Sequence, residues 1–143
     1  MASNPLIGTW RLLSWENRSV EEDAQISYPL GEDASGYIMY NQDGYMFVAI
    51  MSPYRLKFAG GDLLSGTPEE EAQAEESYLS YCGRYDFLED TVVHHVELSL
   101  FPNWIGGDQE RLVDLGGSRL TLSTGPLLLR GIQQTAHLIW ERV

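Results

Sequence analysis

The 143-residue chain predicts an all-β domain, either a closed antiparallel barrel or a sandwich of about eight short strands with one helix. Apolar and polar residues alternate with period two through most of its length, as strands with one buried face require. Clusters of Gly, Asp and Asn interrupt these runs at hairpin spacing. Only the stretch opening at Thr67-Pro68-Glu69-Glu70 carries helix-start signals: a threonine cap, proline in the first turn, and glutamates at the positive end of the helix dipole.

In chain order, Ile7 to Asn17 reads as the first strand, with Trp10, Leu12, Ser14 and Glu16 on one face and Arg11, Leu13 and Trp15 on the other. An acidic polar stretch, Arg18 to Ala24, leads to a short extended piece, Gln25 to Leu30, and a turn cluster, Gly31 to Gly36. Tyr37 to Tyr40 and Tyr45 to Met51 flank Asn41-Gln42-Asp43-Gly44, whose Asp-Gly pair supplies the positive φ of a tight hairpin. After Ser52-Pro53 and a loop containing Gly60-Gly61, the helix is expected to run to about Tyr81 and stop before Gly83, with Ala72, Ala74, Tyr78, Leu79 and Cys82 on its apolar side. Arg84 to Leu88 and Thr91 to Phe101 pair around Glu89-Asp90. Gln109 to Leu115 and Arg119 to Thr124 pair around Gly116-Gly117-Ser118, and Thr135 to Arg142 ends the fold. No repeat or linker divides the chain, so residues 1–143 are expected to form one domain.

Composition narrows the function. With 21 acidic against nine basic residues, the net charge of −12 opposes binding to phosphate backbones or anionic membranes. No apolar run is long enough to span a bilayer, and the first residues lack the pattern of a secretory signal. Cys82 is the sole cysteine, which points to a reducing, cytoplasmic compartment. No phosphate-cradling glycine loop is present, so no nucleotide cofactor is expected. A metal site is not expected either: neighbouring histidines on a strand point to opposite faces, leaving too few ligands.

Several blocks together resemble a known family. Gly8-Thr9-Trp10 is similar to the Gly-x-Trp that marks the closed end of lipocalin and fatty-acid-binding barrels, and Leu138-Ile139-Trp140-Glu141-Arg142 to their closing strand. Gly36-Tyr37-Ile38-Met39-Tyr40, Tyr81-Cys82-Gly83-Arg84-Tyr85, His94-His95-Val96-Glu97-Leu98-Ser99 and Phe101-Pro102-Asn103-Trp104, in this order, resemble the small microbial lipocalin-like domain family over nearly the whole chain. The resemblance implies a lipocalin-like closed antiparallel barrel, with Arg142 placed to cover Trp10. It also implies binding of a hydrophobic small molecule. Some members of the family are encoded among natural-product biosynthesis genes, where lipocalin-like proteins act as isomerases or cyclases on terpenoid or polyketide intermediates, so the resemblance also implies such a role.

The residues suggest where such chemistry would sit. On the Thr91–Phe101 strand, His94 shares a face with Val92 and Val96, and His95 shares the other with Glu97. His94 faces a greasy interior if the polar side is outside. A covered outer wall would instead turn His95 and Glu97 inward as an acid–base pair. Arg111, alternating with Val113 and Leu115, could hold a carboxylate, enolate or carbonyl oxygen, or form a structural ion pair. Glu16 is a candidate partner for it or an interior proton acceptor. Tyr40, Tyr45, Tyr54, Tyr85 and Trp104 are candidate lining residues, combining apolar rings with polar tips. The favoured function is acid–base isomerisation or cyclisation inside the barrel, with His94, His95, Glu97 and Arg111 as the catalytic set. The competing reading is a carrier or sensor without catalysis, and a barrel packed solid would instead be an interaction module. Exposed aromatics on strands leave a homodimer open.

Overall fold

The computed structural model describes residues 4–21 and 25–143; residues 1–3 and part of the acidic stretch 18–24 lie outside the described residues. Among the described residues, ten strands follow one another: β1 (Gly8–Ser19), β2 (Ile26–Ser27), β3 (Ser35–Tyr40), β4 (Tyr45–Met51), β5 (Tyr78–Phe87), β6 (Thr91–Ser99), β7 (Asp108–Gly116), β8 (Arg119–Ser123), β9 (Leu127–Leu129) and β10 (Ile132–Arg142). Helix α1 (Pro68–Glu76) precedes β5, and a single 3₁₀ turn at Pro102–Trp104 follows β6.

All strand pairs are antiparallel, in the order β1-β3-β4-β5-β6-β7-β8-β10, and β1 pairs again with β10 to close an eight-stranded barrel. Closure leaves no long open edge. The short β2 and β9 pair with the end of β1 and the start of β10, so both lie at one rim. No helix among the described residues is long and apolar enough to cross a membrane.

The barrel's two ends differ. At the end built by the β3–β4, β5–β6 and β7–β8 hairpins, Trp10 is fully buried, its indole N–H donates to the Leu6 carbonyl at 2.9 Å, and the Arg142 guanidinium lies 4.1 Å from its ring centre. Arg142 also donates to the carbonyls of Ile7 and Pro5, at 2.9 and 2.7 Å. One residue thus sutures the first segment to the last strand while capping a π face, as the resemblance implied. Tyr40, Met46, Tyr85, Val92, Leu120 and Trp140 belong to the same buried core as Trp10.

Helix α1 differs from the sequence reading in extent. Its start is as expected: Thr67 Oγ1 accepts from the Glu70 amide at 3.2 Å and Glu70 Oε1 accepts from the Thr67 amide at 2.9 Å. It ends at Glu76 rather than Tyr81, and it buries no residue. The apolar residues assigned to its lower half, Tyr78, Leu79 and Cys82, belong to β5, where alternation sends Leu79 and Tyr81 inward. A polar helix could gain little by packing, whereas the aromatic run gains a full strand ladder against β4 and β6. The strand β9 was also missed, and the last strand begins at Ile132 rather than Thr135.

Two register shifts decide which side chains reach the interior. Between Leu12 and Ser14 the pairing with β10 slips, so Trp10 and Leu12 point inward before it and Trp15 and Asn17 after it. The second falls between Cys82 and Gly83 on β5, opposite β6. There the backbone approaches so closely that a Cβ on Gly83 would lie 1.9 Å from the His95 carbonyl oxygen.

Candidate functional site

A cavity of about 600 Å³ occupies the half of the barrel away from the Trp10 plug. Ile38, Val48, Trp140 and Leu138 line its deeper part, and Trp104, Phe101 and the β9 leucines its mouth. This size suits one small organic molecule, and a barrel packed solid is excluded. The wall is apolar apart from a few groups, the most closely connected of them on β5, β6 and β7.

His94 on β6 is 1 % exposed and bonds to two tyrosines: Nε2 lies 2.7 Å from the Tyr40 hydroxyl and Nδ1 2.7 Å from the Tyr81 hydroxyl. Burial, and next the positive charge of Arg111, pull its pKa down to about 3, so the ring is neutral near pH 7. Its tautomer follows from its partners. Tyr40 is buried, has no other side-chain hydrogen bond among the described residues, and its pKa is raised well above the usual range, chiefly by burial. Its proton is therefore satisfied only by donation to Nε2. Nδ1 then carries the ring proton and donates it to the Tyr81 oxygen. Tyr81's own proton is left to point elsewhere, and Tyr81 lines the cavity. Burial also raises the Tyr81 pKa, while the neighbouring Arg111 guanidinium draws it back.

Arg111 extends from β7 into the same corner. It donates to the Glu110 carbonyl at 3.0 Å and to Gln109 Oε1 at 3.1 Å, but forms no ion pair among the described residues. Among the described residues, no carboxylate lines the cavity. In a chain of net charge −12, the interior thus presents a guanidinium and a phenolic O–H side by side. That pair can receive an oxygen bearing negative charge or a strong dipole.

Trp104, on the 3₁₀ turn, meets Tyr81 edge-on with centroids 5.7 Å apart and stands at the mouth. Of the sequence candidates, His94, Arg111 and Trp104 therefore line the cavity, with Tyr40 directly behind His94. Tyr85 sits deeper, against Tyr40 at 4.9 Å, with its hydroxyl donating to the Asn41 carbonyl; it braces the closed end and lies off the cavity wall.

The others lie elsewhere. His95 points outward and bridges Asp86 and Asp108, each at 2.8 Å, and Glu97 is exposed beside it, so no acid–base pair faces the interior from that side. Helix α1 buries no residue and leaves this wall open. Glu16 is turned out by the β1 register shift and pairs with Arg18 at 2.6 Å, not with Arg111. Tyr45 lies on the outer wall beneath the Arg84 guanidinium, and Tyr54 is 93 % exposed on a loop.

The sequence reading missed Tyr81, Asn17, Thr124 and the β9 leucines as lining residues. Tyr81 had a usable signal: Leu79, Tyr81 and Tyr85 would have continued an inward strand face had the helix been ended at Ser77. Asn17 had none, because its facing depends on a register shift.

A closed eight-stranded barrel, plugged at one end by a Trp–Arg pair and hollow at the other, defines a lipocalin-like protein. The chain belongs to the lipocalin-like domain family, whose model matches residues 7–143. Among curated proteins it is similar to the 4'-hydroxy-3'-methoxypropiophenone carrier protein ppsC of Aspergillus oryzae, with 40 % identity over 107 residues that cover 68 % of this chain and 96 % of that protein. No solved structure gives a significant match.

Proposed function

We propose that this barrel is a carrier that holds one hydrophobic, oxygenated small molecule of the aryl-ketone class, with an oxygen of the ligand against Tyr81 and Arg111. The observation that carries this reading is the pairing of the Tyr81 hydroxyl with an Arg111 that has no ion pair among the described residues, on the wall of a largely apolar cavity of about 600 Å³. The relative's name, a carrier of a hydroxylated and methoxylated aryl ketone, supports the same ligand class.

Isomerisation or cyclisation of a terpenoid or polyketide intermediate is the second reading. The Tyr81–Arg111 corner favours it, because two such donors would stabilise an enolate or other oxyanion. Proton abstraction also needs a base. Both nitrogens of His94 are engaged, its pKa lies far below neutrality, and no carboxylate among the described residues lines the cavity. Carriage therefore fits these groups better than turnover.

Titration with 4'-hydroxy-3'-methoxypropiophenone, followed through the fluorescence of Trp15, Trp104 and Trp140 at the cavity, tests the proposal. Saturable one-to-one binding, with the ligand recovered unchanged, is expected. Absence of binding to this compound and to simpler aryl ketones would overturn it, and recovery of an isomer would return the protein to the enzymes.

A further inference from the structure

The cavity wall also holds two buried donors that the Tyr81–Arg111 corner does not use. Asn17 is 1 % exposed and Trp140 fully buried; both line the cavity, and Asn17 Nδ2 and Trp140 Nε1 lack hydrogen-bond partners among the described residues. The Asn17 amide cannot simply be turned over. Its Oδ1 accepts from the Trp15 indole N–H at 2.8 Å, and an indole nitrogen can only donate. The free atom must therefore be the NH₂ group. A buried donor left without an acceptor is costly; Asn17 Nδ2 is itself almost fully covered, so an acceptor reaches it only when the side chains over it shift, and its persistence beside a cavity points to a group that it binds.

Strand registers place Asn17 relative to the first corner. Asn17 faces Ala136 on β10, the Ala136 carbonyl accepts from the Thr124 amide just past β8, and Ser123 faces Leu112 on β7. Asn17 and Arg111 thus stand at about the same height, three strand spacings apart. At about 4.8 Å per spacing, that is roughly 14 Å along the wall and less across the lumen. The span suits a six-membered ring with a short substituent at each side.

We infer that Asn17 Nδ2 is a second hydrogen-bond subsite, so that the ligand carries two separated oxygen acceptors, one for Tyr81–Arg111 and one for Asn17. This rests on the carrier reading above and narrows it: an apolar body with a single oxygen would leave one donor site unmatched. Asn17 acts as a selectivity residue for doubly oxygenated ligands, and Trp140, on the deeper wall, offers its N–H to the same molecule or to none.

Three probes separate the subsites: 4'-hydroxy-3'-methoxypropiophenone, propiophenone without ring oxygens, and 2-methoxy-4-propylphenol without the ketone. The wild-type protein should bind the first about tenfold more tightly than either truncated probe. Asn17→Leu should weaken the full ligand about tenfold while leaving unchanged the one truncated probe that lacks the oxygen Asn17 serves. Because leucine also orphans the Trp15 indole, the same series is run with Trp15→Phe alone and with Trp15→Phe/Asn17→Leu. The Asn17 side-chain NH₂ resonances of wild-type protein should also move downfield on saturation with the full ligand. Equal weakening of all three probes, no weakening, or unmoved NH₂ resonances in a protein that does bind would overturn the subsite alone. Binding of none of the probes by wild-type protein would overturn the carrier reading and the subsite with it.

Discussion

The Tyr40 hydroxyl lies 2.7 Å from His94 Nε2, and neither residue is more than 1 % exposed. Tyr40 is absent from the cavity wall, yet through the imidazole it determines what the cavity sees. While it donates to Nε2, the ring proton must sit on Nδ1, and Tyr81 is freed to donate to a ligand. Tyr40→Phe should therefore cost about 1–3 kcal/mol of stability and also weaken ligand binding several-fold. The ring proton could then move to Nε2, and Tyr81 would turn its own proton to Nδ1. Urea unfolding and ligand titration on the same variant check both effects. A loss of stability with unchanged affinity would show that Tyr40 does not set the tautomer.

Acid should destabilise the protein through His94. Its folded pKa is depressed to about 3, so as pH falls below the unfolded value near 6.5 the unfolded chain binds a proton that the folded chain refuses. Its contribution is complete above about pH 6.5 and shrinks between there and about pH 3, at up to about 1.4 kcal/mol per pH unit. His95 acts in the opposite direction. Hydrogen bonds to Asp86 and then Asp108 raise its pKa, so its stabilisation is full below the unfolded value and disappears as pH rises through the folded one. That contribution is small, because 40 % of the side chain is exposed and solvent screens it. Unfolding free energy measured from pH 4 to 6.5 should fall less steeply in His94→Gln than in wild type. Parallel curves would mean that His94 titrates normally in the folded protein.

Arg111 should behave as a residue kept for binding rather than for stability. It has no ion-pair partner among the described residues, so Arg111→Met should leave the unfolding midpoint unchanged or raise it, since a half-buried cation is replaced by an apolar chain. Affinity for an oxygenated ligand should drop tenfold or more, the scale of a charge-assisted hydrogen bond. Thermal unfolding with and without saturating 4'-hydroxy-3'-methoxypropiophenone gives both numbers in one experiment. A marked fall in midpoint without ligand would assign Arg111 to the fold instead.

What could be read from the sequence follows the range of the forces involved. The hairpins around Asp43-Gly44 and Gly116-Gly117 were legible because turn chemistry is local, and Gly44 and Gly117 do take φ of 90° and 62°. Trp10 and Arg142, at opposite ends of the chain, could be paired only through the family resemblance. His94 and Arg111, which line the cavity, could be singled out because period-two alternation runs through both on β6 and β7, but alternation alone left open which face was inside. Glu16 was misplaced and Asn17 overlooked for one reason: the slip between Leu12 and Ser14 inverts the facing of every later residue on β1. The helix was overextended because Thr67-Pro68 announces a start, whereas the aromatic run from Tyr78 is claimed by β4 and β6, far away in sequence.

Gly83 should be intolerant of any side chain. It adjoins the β5 register shift, and a Cβ there would lie 1.9 Å from the His95 carbonyl oxygen and 3.0 Å from the Glu97 amide nitrogen. Both are backbone atoms of the paired strand, so no rotamer change can relieve the clash. Gly83→Ala must push β6 away from β5, and the residues flanking this contact include Tyr81, Tyr85 and His94. The expected cost is about 3 kcal/mol or more, with loss of the Tyr81–His94 bond before global unfolding. Gly44→Ala is the matched control: its φ of 90° carries strain, but no atom lies within 4 Å of its added methyl, so it should cost only about 1 kcal/mol. Ligand affinity should follow the same order, falling in Gly83→Ala and holding in Gly44→Ala. Equal stabilities for the two variants would mean that the β5–β6 ladder opens at Gly83 without strain.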